Sequence, residues 1–471
     1  VFYQRTRHRD SDGLRRSAEF GGGNPIPLPS RGRDSSIRNW FVGGEATTGS
    51  SPREMAPHDV RRPFKRPAIS DQQRRREQAL QRQAQHRADA QNRARFLASS
   101  VLVLQDQSEP QLPPESPPEA EAEAEAAARE QLDVLQASKL RGSEARRWFA
   151  RQLMLPEWMI DVPPRLEEDW YVFPRPEGKR CFVVSSNGTT ISRCRNGSVL
   201  HHFASSLPCG ARTKDASGPS HSYCILDCIF HEPDQTYYVI DMLCWRGYSL
   251  YDCSAEFRFF WLNSKLAESG ACDPPSMYHK YRFSSVPIYD CNQMGLHAAY
   301  AGVLPYIKDG LLFYNKHAHY QTGSTPLALV WKDEHCSQYF LDTDSKGQVP
   351  DKQQVVLELQ EDGKLTSFDE PPVLFGCLSQ EFRQKSGLRP QTLLRFAIGD
   401  GGLNLVDGKL EMADLHFVGK SNSRRGFADS YSKVLFQYAA RHTPLRIEDL
   451  FASIQPSLSQ CMDAKDTLMT G

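Results

Sequence analysis

Residues 309–333, DGLLFYNKHAHYQTGSTPLALVWKD, hold side chains suited to gripping a nucleotide. An acid and a glycine, Asp309 and Gly310, lead an apolar strand. A polar loop follows with GSTP as its turn, and a second strand ends in Trp331 and Lys332. A tryptophan at the mouth of such a pocket can stack on a base, a contact of about 1–3 kcal/mol. A base that carries positive charge would add a cation–π attraction to the indole face of roughly 0.5–2 kcal/mol. The bland alternative is a core tryptophan in a β-strand; the neighbouring residues favour the platform.

Three further pieces stand around this one: RPEGKR from Arg175 to Arg180, ILDCIF around Asp227 with YYVIDMLCW behind it, and LVWK ending at Lys332. In that order they resemble the motif series of covalent nucleotidyltransferases, the mRNA guanylyltransferases and nucleic-acid ligases. The nucleophile of that family is the lysine opening the first motif, and Arg175 occupies its place. A lysine amine can be tuned to lose its proton; a guanidinium stays protonated and is a poor nucleophile. The second-motif glutamate is also replaced, since Asp227 is followed by Cys228 and Ile229, and Val330 stands where the last motif has its first lysine. The resemblance implies a nucleotide-shaped cleft without its chemistry: no enzyme, no catalytic residue, no cofactor and no metal site. An active guanylyltransferase or RNA ligase-like nucleotidyltransferase is the alternative. It needs a nucleophilic lysine near the cleft, and Lys179 has the wrong motif position, with strand alternation turning it to the other face.

The elements that must position these residues read as α+β with antiparallel strands dominating. DWYVFPRP, KRCFVVSS, YCILDCIF, TYYVIDMLCW and EFRFFWL are short β-rich runs between turn signals. NGTT and RNGS suit hairpin turns; both also match the glycosylation acceptor pattern, which is common by chance. DPPSMYHKYRF and YDCNQMGLHAAYAGVLPYI suit a loop and a helix. Beyond Lys332, QVVLELQEDGKLTSF reads as a hairpin about EDGK, and LLRFAIGDGGLNLVDGKLEMADLHFVG as further strands. GDGG lacks the context of a phosphate loop and reads as a flexible turn. FADSYSKVLFQYAARH and RIEDLFASI have helical spacing. This region carries no functional signal.

The chain has 471 residues and a formal net charge of zero, a sum that hides strong local asymmetry. From Arg61 to Ala98 there are 11 Lys or Arg against 3 Asp or Glu, a net of +8. RRPFKRP holds two prolines and cannot be an ordinary helix. Ser70 can cap a helix from Asp71 to Leu97, with Gln73 as its capping-box partner. Its apolar stripe is thin, so it should form mainly on a partner. Such an arm is either a solvated, non-specific RNA-binding tail or a helix wrapped by an acidic protein surface; the latter pattern resembles the importin-β-binding domain of import adaptors. EPQLPPESPPEAEAEAEAAARE suits an extended acidic spacer. The 12 cysteines lack CxxC pairs, which argues against zinc or a disulfide framework and favours a reducing compartment. No apolar run can span a bilayer. Residues 1–54 read as disordered, and as upstream sequence ahead of a natural start at Met55.

RQLMLPEWMIDVP, EGKR, ILDCIFHEPDQTYYVIDMLCWRG, YDCSAEFRFFWLNSKL and DGLLFYNKHAHYQTGSTPL resemble the snurportin family, in a divergent or plant-like form. The likeness covers about residues 61–98 and 146–332. It implies a guanylyltransferase-like, mainly antiparallel β domain that binds the 2,2,7-trimethylguanosine cap of uridine-rich small nuclear RNAs without catalysis. The implied organisation is a disordered leader at 1–54, an importin-β-binding arm at 55–98, a disordered linker at 99–142, a cap-binding domain at 143–345 and an extension of unknown role at 346–471. By position, Trp331 would stack on the base, Leu155 and Trp158 would line the methyl pocket, and Arg180 and Arg195 would face the phosphates. A family serine appears as Pro156, and the strand before Trp331 is one residue longer. Arg61, Arg62, Lys65, Arg66, Arg74, Arg75, Arg76 and Arg82 would engage importin-β. The implied partners are the capped small nuclear ribonucleoprotein and importin-β, with shuttling between nucleus and cytoplasm. An exportin fits the family, but its leucine-rich stretch is not visible upstream of the arm.

Overall fold

The computed structural model describes residues 70–106, 140–211, 223–277, 279–344, 346–422 and 425–454, with side chains of the first stretch described as far as residue 89. All of them lie within one compact unit, Arg66–Gly471. The expected leader and the RRPFKRP segment fall outside the described residues, as does most of the linker.

The arm forms α1 (Gln72–Asp106), and α2 (Gly142–Phe149) leads into β1 (Met154–Trp158). A one-turn α3 (Leu166–Asp169) precedes β2 (Trp170–Pro176), β3 (Lys179–Ser186), β4 (Thr189–Cys194) and β5 (Val199–Phe203). Then come β6 (Cys224–His231), β7 (Thr236–Trp245), β8 (Tyr248–Ser249), α4 (Ala255–Glu268), β9 (Arg282–Ser285), β10 (Tyr289–Asp290) and α5 (Gln293–Ala301). The strands β11 (Lys308–Asn315) and β12 (Gly323–Trp331) close this part.

Two sheets result. One has the order β1-β12-β11-β2-β10; the other runs β5-β4-β3-β6-β7-β8, with β9 beside β7. Phe173, Tyr314, Ala328 and Val330 from the first sheet and Phe182, Ile225, Ile229 and Tyr238 from the second share one buried cluster between them. Apart from EFRFFWL, the strand runs and hairpins read from sequence are present. Asn187 and Gly188 both have positive φ, 51° and 76°, which is the backbone an Asn-Gly hairpin turn needs.

EFRFFWL is a helix, not the expected strand. Ser254 caps α4 by accepting a hydrogen bond from the Phe257 amide. Arg258, Phe259, Leu262 and Leu266 are buried at helical spacing. Arg258 is wholly buried and forks onto Asp241 of β7 with two 2.9 Å hydrogen bonds. Aromatic richness suggested a strand; one buried face and a good cap decide for a helix.

The C-terminal region forms β13 (Gln354–Leu359), β14 (Lys364–Thr366), β15 (Leu374–Cys377), α6 (Gln380–Lys385), β16 (Leu393–Val406), β17 (Lys409–Lys420), α7 (Tyr431–His442) and α8 (Ile447–Ile454). Its sheet has the order β15-β14-β13-β16-β17. GDGG lies inside β16, where the pairing with β17 slips between Ile398 and Leu403, so it is a strand irregularity and not a free turn. The region shares the core of the preceding part: Phe436, Ile447, Leu450 and Ile454 pack in one cluster with Leu311, Leu329 and Trp331.

The arm helix docks on its own chain rather than waiting for a partner. Gln72, Arg76, Ala79 and Gln83 are buried along one stripe. Gln72 Nε2 donates to Glu157 Oε2 at 2.9 Å and to the Trp158 carbonyl at 3.0 Å. Arg75 ion-pairs with the buried Glu157, and the Ser70 hydroxyl donates to Asp161 at 2.9 Å. Gln83 exchanges hydrogen bonds with the His317 carbonyl and the His319 amide. The expected capping box is half made: Ser70 Oγ accepts from the Gln72 amide, while Gln73 bonds Glu77. The helix also runs past residue 98 to Asp106, beyond the expected end of the arm.

Glu157→Ala should loosen this dock. Removing the buried acid leaves Arg75, itself about a third exposed, without that partner, at a cost on the order of 1–3 kcal/mol. Hydrogen exchange over residues 72–83 should speed up while β6 and β7 stay protected; unchanged exchange in α1 would show that Glu157 does not hold it.

Candidate cap-binding site

Strand pairing brings the singled-out residues into one neighbourhood. β1 runs parallel to β12, with Leu155 opposite Ser324 and Trp158 opposite Val330. β11 pairs with both β12 and β2, so Asp309 lies near Arg175 and Lys332. β3 lies beside β6, which sets Phe182 opposite Asp227 and Arg180 two residues away.

Asp309 is a hub. It ion-pairs with Arg175, accepts a 2.5 Å bond from Lys332 Nζ and a 2.5 Å bond from the Ser337 hydroxyl. Burial alone would raise its pKa, but Arg175, Lys332 and Ser337 outweigh it and hold the carboxyl below its ordinary value. Burial, with Arg175 nearby, pushes the Lys332 amine down against the pull of Asp309. Gly310 has φ +92°, and a Cβ there would come within 2.7 Å of both Lys332 Cγ and the Trp331 carbonyl. The Asp-Gly pair is therefore required by close approach of β12.

Arg180 forks onto Asp227 through Nε at 3.0 Å and Nη2 at 2.7 Å, and the Tyr320 hydroxyl donates to the same carboxylate at 2.7 Å. Burial opposes its charge, yet Asp227 raises its pKa above the ordinary guanidinium value. Its Nε–Nη2 edge is spent on Asp227, so a phosphate would have to meet its Nη1 side.

Arg195 sits just beyond β4. The residue is exposed, while protein gathers around its guanidinium head. Its Cζ lies 5.7 Å from the Phe368 ring and 5.5 Å from the Phe427 ring. No carboxylate lies within ion-pair distance of it among the described residues. Crowding, then Arg180 and Arg425, push its pKa down to about 10.

Leu155 and Trp158 are half-buried on β1. The Trp158 amide donates to Ser432 Oγ at 3.1 Å, its ring meets Phe436 at 4.8 Å, and Lys332 Nζ lies 5.6 Å from its centroid. Trp331, expected as the stacking platform, is not at the mouth of the cleft. It is 0% exposed, packs with Leu329, Leu450 and Ile454, and its indole N–H donates to the Leu445 carbonyl at 3.0 Å. The cause is register. Pro156 pairs with Thr325 but the next residue, Glu157, pairs with Leu329, so β12 carries extra residues through the slip. Alternation then gives the cleft-side position to Val330 and sends Trp331 to the opposite face.

Of the arm residues, Arg74 and Arg82 are exposed, Arg75 and Arg76 are engaged by the dock, and Arg61, Arg62, Lys65 and Arg66 lie outside the described residues. Sequence reasoning missed Glu157 and Asp161, which receive the arm, and Phe368, Arg425 and Phe427, which surround Arg195. Nothing local marked them.

Residues 152–332 match the family described as the Snurportin1 m3G cap-binding domain. This part of the chain is snurportin-like. Among solved structures, a mycobacterial DNA ligase D complexed with ATP and MES is 12% identical, covering 58% of this chain and 96% of its own, at a TM-score of 0.28. A Lig E DNA ligase is 14% identical, covering 57% and 98%, at 0.26. Overlaps this loose say nothing about chemistry. The snurportin-like stretch begins just before β1 and ends at Lys332, so it contains the Asp309 and Asp227 hubs together with Leu155, Trp158, Arg180 and Arg195. Among the described residues no cluster of His, Cys, Asp or Glu could hold a metal ion, and no helix is long and apolar enough to cross a membrane.

Two outcomes follow from this geometry. Trp331→Ala should cost about 3–5 kcal/mol of unfolding free energy, as for a large aromatic removed from a core. Denaturant titration checks this; unchanged stability with lost cap binding would return Trp331 to the mouth of the cleft. Asp309, ordinarily near 3.8 and held lower in the fold, contributes stability that is present above about pH 4 and lost as the pH falls through its depressed value. Asp309→Asn should flatten that acid limb of a stability-versus-pH curve, and an unaltered limb would show that other carboxyls carry it.

Proposed function

We propose that the chain is a non-enzymatic nuclear import adaptor. Its snurportin-like domain holds the 2,2,7-trimethylguanosine cap of spliceosomal small nuclear RNA, and its basic arm recruits importin-β, the protein shuttling between cytoplasm and nucleus. The observation that carries this reading is the match over residues 152–332, joined to what stands at the nucleophile's position. That position holds Arg175, already neutralised by Asp309.

With Trp331 in the core, the base contact falls to Leu155 and Trp158. An N2-dimethylated guanine has lost the donor hydrogens of its amino group, so apolar contact can favour it over a monomethyl cap. Arg195 and the open side of Arg180 are the candidates for the triphosphate bridge. Competition binding with mono- and trimethylated cap dinucleotides tests the reading. Trp158→Ala should weaken trimethyl-cap binding about tenfold or more, the loss of one stacked base. Equal affinity for both caps, or full affinity in the variant, counts against it. Deleting residues 61–98 should abolish importin-β binding and leave cap binding in place; collapse of both would mean that the arm is part of the cap site.

One observation favours the covalent alternative: Lys332 is a buried amine with a lowered pKa, the tuning a nucleophilic lysine needs. Against it, Lys332 is tied to Asp309 at 2.5 Å. Lys179 is half-exposed and paired with Glu232, which raises its pKa. Incubation with labelled GTP or ATP and a divalent metal, then denaturing electrophoresis, should leave no labelled band.

A further inference from the structure

Arg195 is an arginine with a surplus. Arg175 and Lys332 share Asp309, and Arg180 has Asp227, but among the described residues Arg195 meets aromatic faces and no ion-pair partner. Its charged neighbours are Arg180, held by Asp227, and Arg425, bound to Asp429 at 2.5 Å, with the Asp429 carboxylate also pulling on Arg195 from farther off. A guanidinium with no carboxylate in ion-pair contact among the described residues can take an anion on its solvent side.

The aromatic faces belong to the C-terminal region. Phe368 follows β14, and Phe427 lies between β17 and α7. Their centroids are 4.6 Å apart, and both rings are half-buried, so apolar ring surface remains beside the cation. A basic side chain for the backbone and exposed aromatic surface for the bases is the pairing that single-stranded nucleic-acid sites use.

We infer that Arg195, Phe368 and Phe427 form a second RNA contact, which takes the first nucleotides after the cap and gives the C-terminal region a role in cargo binding. This rests on the cap reading above: Arg195 would take the last cap phosphate or the first phosphate beyond it, and the rings the adjoining base. The contact is sequence-tolerant, because every base offers a π-face.

The experiment compares the full chain bound to a trimethylated cap dinucleotide and to trimethyl-capped RNA of increasing length, by fluorescence anisotropy. Wild type should gain affinity when the first few nucleotides are added. Phe368→Leu with Phe427→Leu keeps apolar bulk against Arg195 but removes the ring faces. The double variant should lose most of that gain, about tenfold for one stacked base, while holding the dinucleotide as before. If the double variant does not fold by thermal melting, Phe427→Leu alone is read in the same way. A wild type that binds the dinucleotide with no gain from added length overturns the inference and leaves the cap reading standing. A gain that survives in the variants also overturns it, because the rings then only staple the C-terminal region to β4. A wild type that binds no trimethyl cap at all removes both.

Discussion

The pairing of β1 with β12 sets the chemistry of the whole cleft. The two strands are in parallel register through Pro156, slip, and resume at Glu157 opposite Leu329. Successive side chains of a strand point to opposite faces, so any odd change of length before the strand's end exchanges the faces of all that follows. Val330 therefore joins the cluster between the sheets, and Trp331 joins the core shared with α7 and α8. On the β1 side, Glu157 is buried and accepts from Gln72 and Arg75, while Trp158 stays half-open beside Lys332. One irregularity thus moves the indole, seats the arm and leaves Trp158 half-open on the edge strand β1.

The charges of the cleft follow a consistent plan. Asp309 answers two cations and Asp227 answers one, with Tyr320 completing its hydrogen bonds. What remains is a modest positive excess centred on Lys332, Arg175 and Arg195. That suits a ligand that brings its own negative charge and is later released. Arg175 fits the same plan, since a guanidinium keeps its charge and can hold Asp309.

Much of the fold was legible because its signals are local. The β-rich runs and their Asn-Gly turns are read within a few residues of themselves, and β2, β3, β6 and β7 lie where those runs place them. The helix α4 was not legible as such, because its Phe and Trp residues suit a strand equally and its buried face is recognised only against Asp241. The side to which Trp331 points depends on how many residues β12 spends opposite β1, which is a property of two segments some 170 residues apart and not of either one. The arm's dock left no trace because its buried stripe is polar: Gln72, Arg76 and Gln83 do not look like a core face. The surroundings of Arg195 come from a third segment that carried no motif at all.

A polar dock has physical consequences of its own. The hold of α1 on the rest of the chain comes chiefly from an ion pair and side-chain hydrogen bonds, with Ala79 and Leu80 supplying little apolar area against Ala318 and Leu327. Such contacts are individually modest, are weakened by salt where exposed, and can be exchanged for others of the same kind without unfolding anything. Arg74 and Arg82 are exposed, Arg74 pairing with Asp71 on its own helix, while Arg75 and Arg76 are held, so an acidic surface could begin on the exposed arginines and displace Glu157 from Arg75 afterwards. Release would leave Glu157 buried and unpaired on β1, one residue from Trp158. An acid in that state must draw in water to replace the donors it has lost. The dock thus turns on a single buried carboxylate, Glu157.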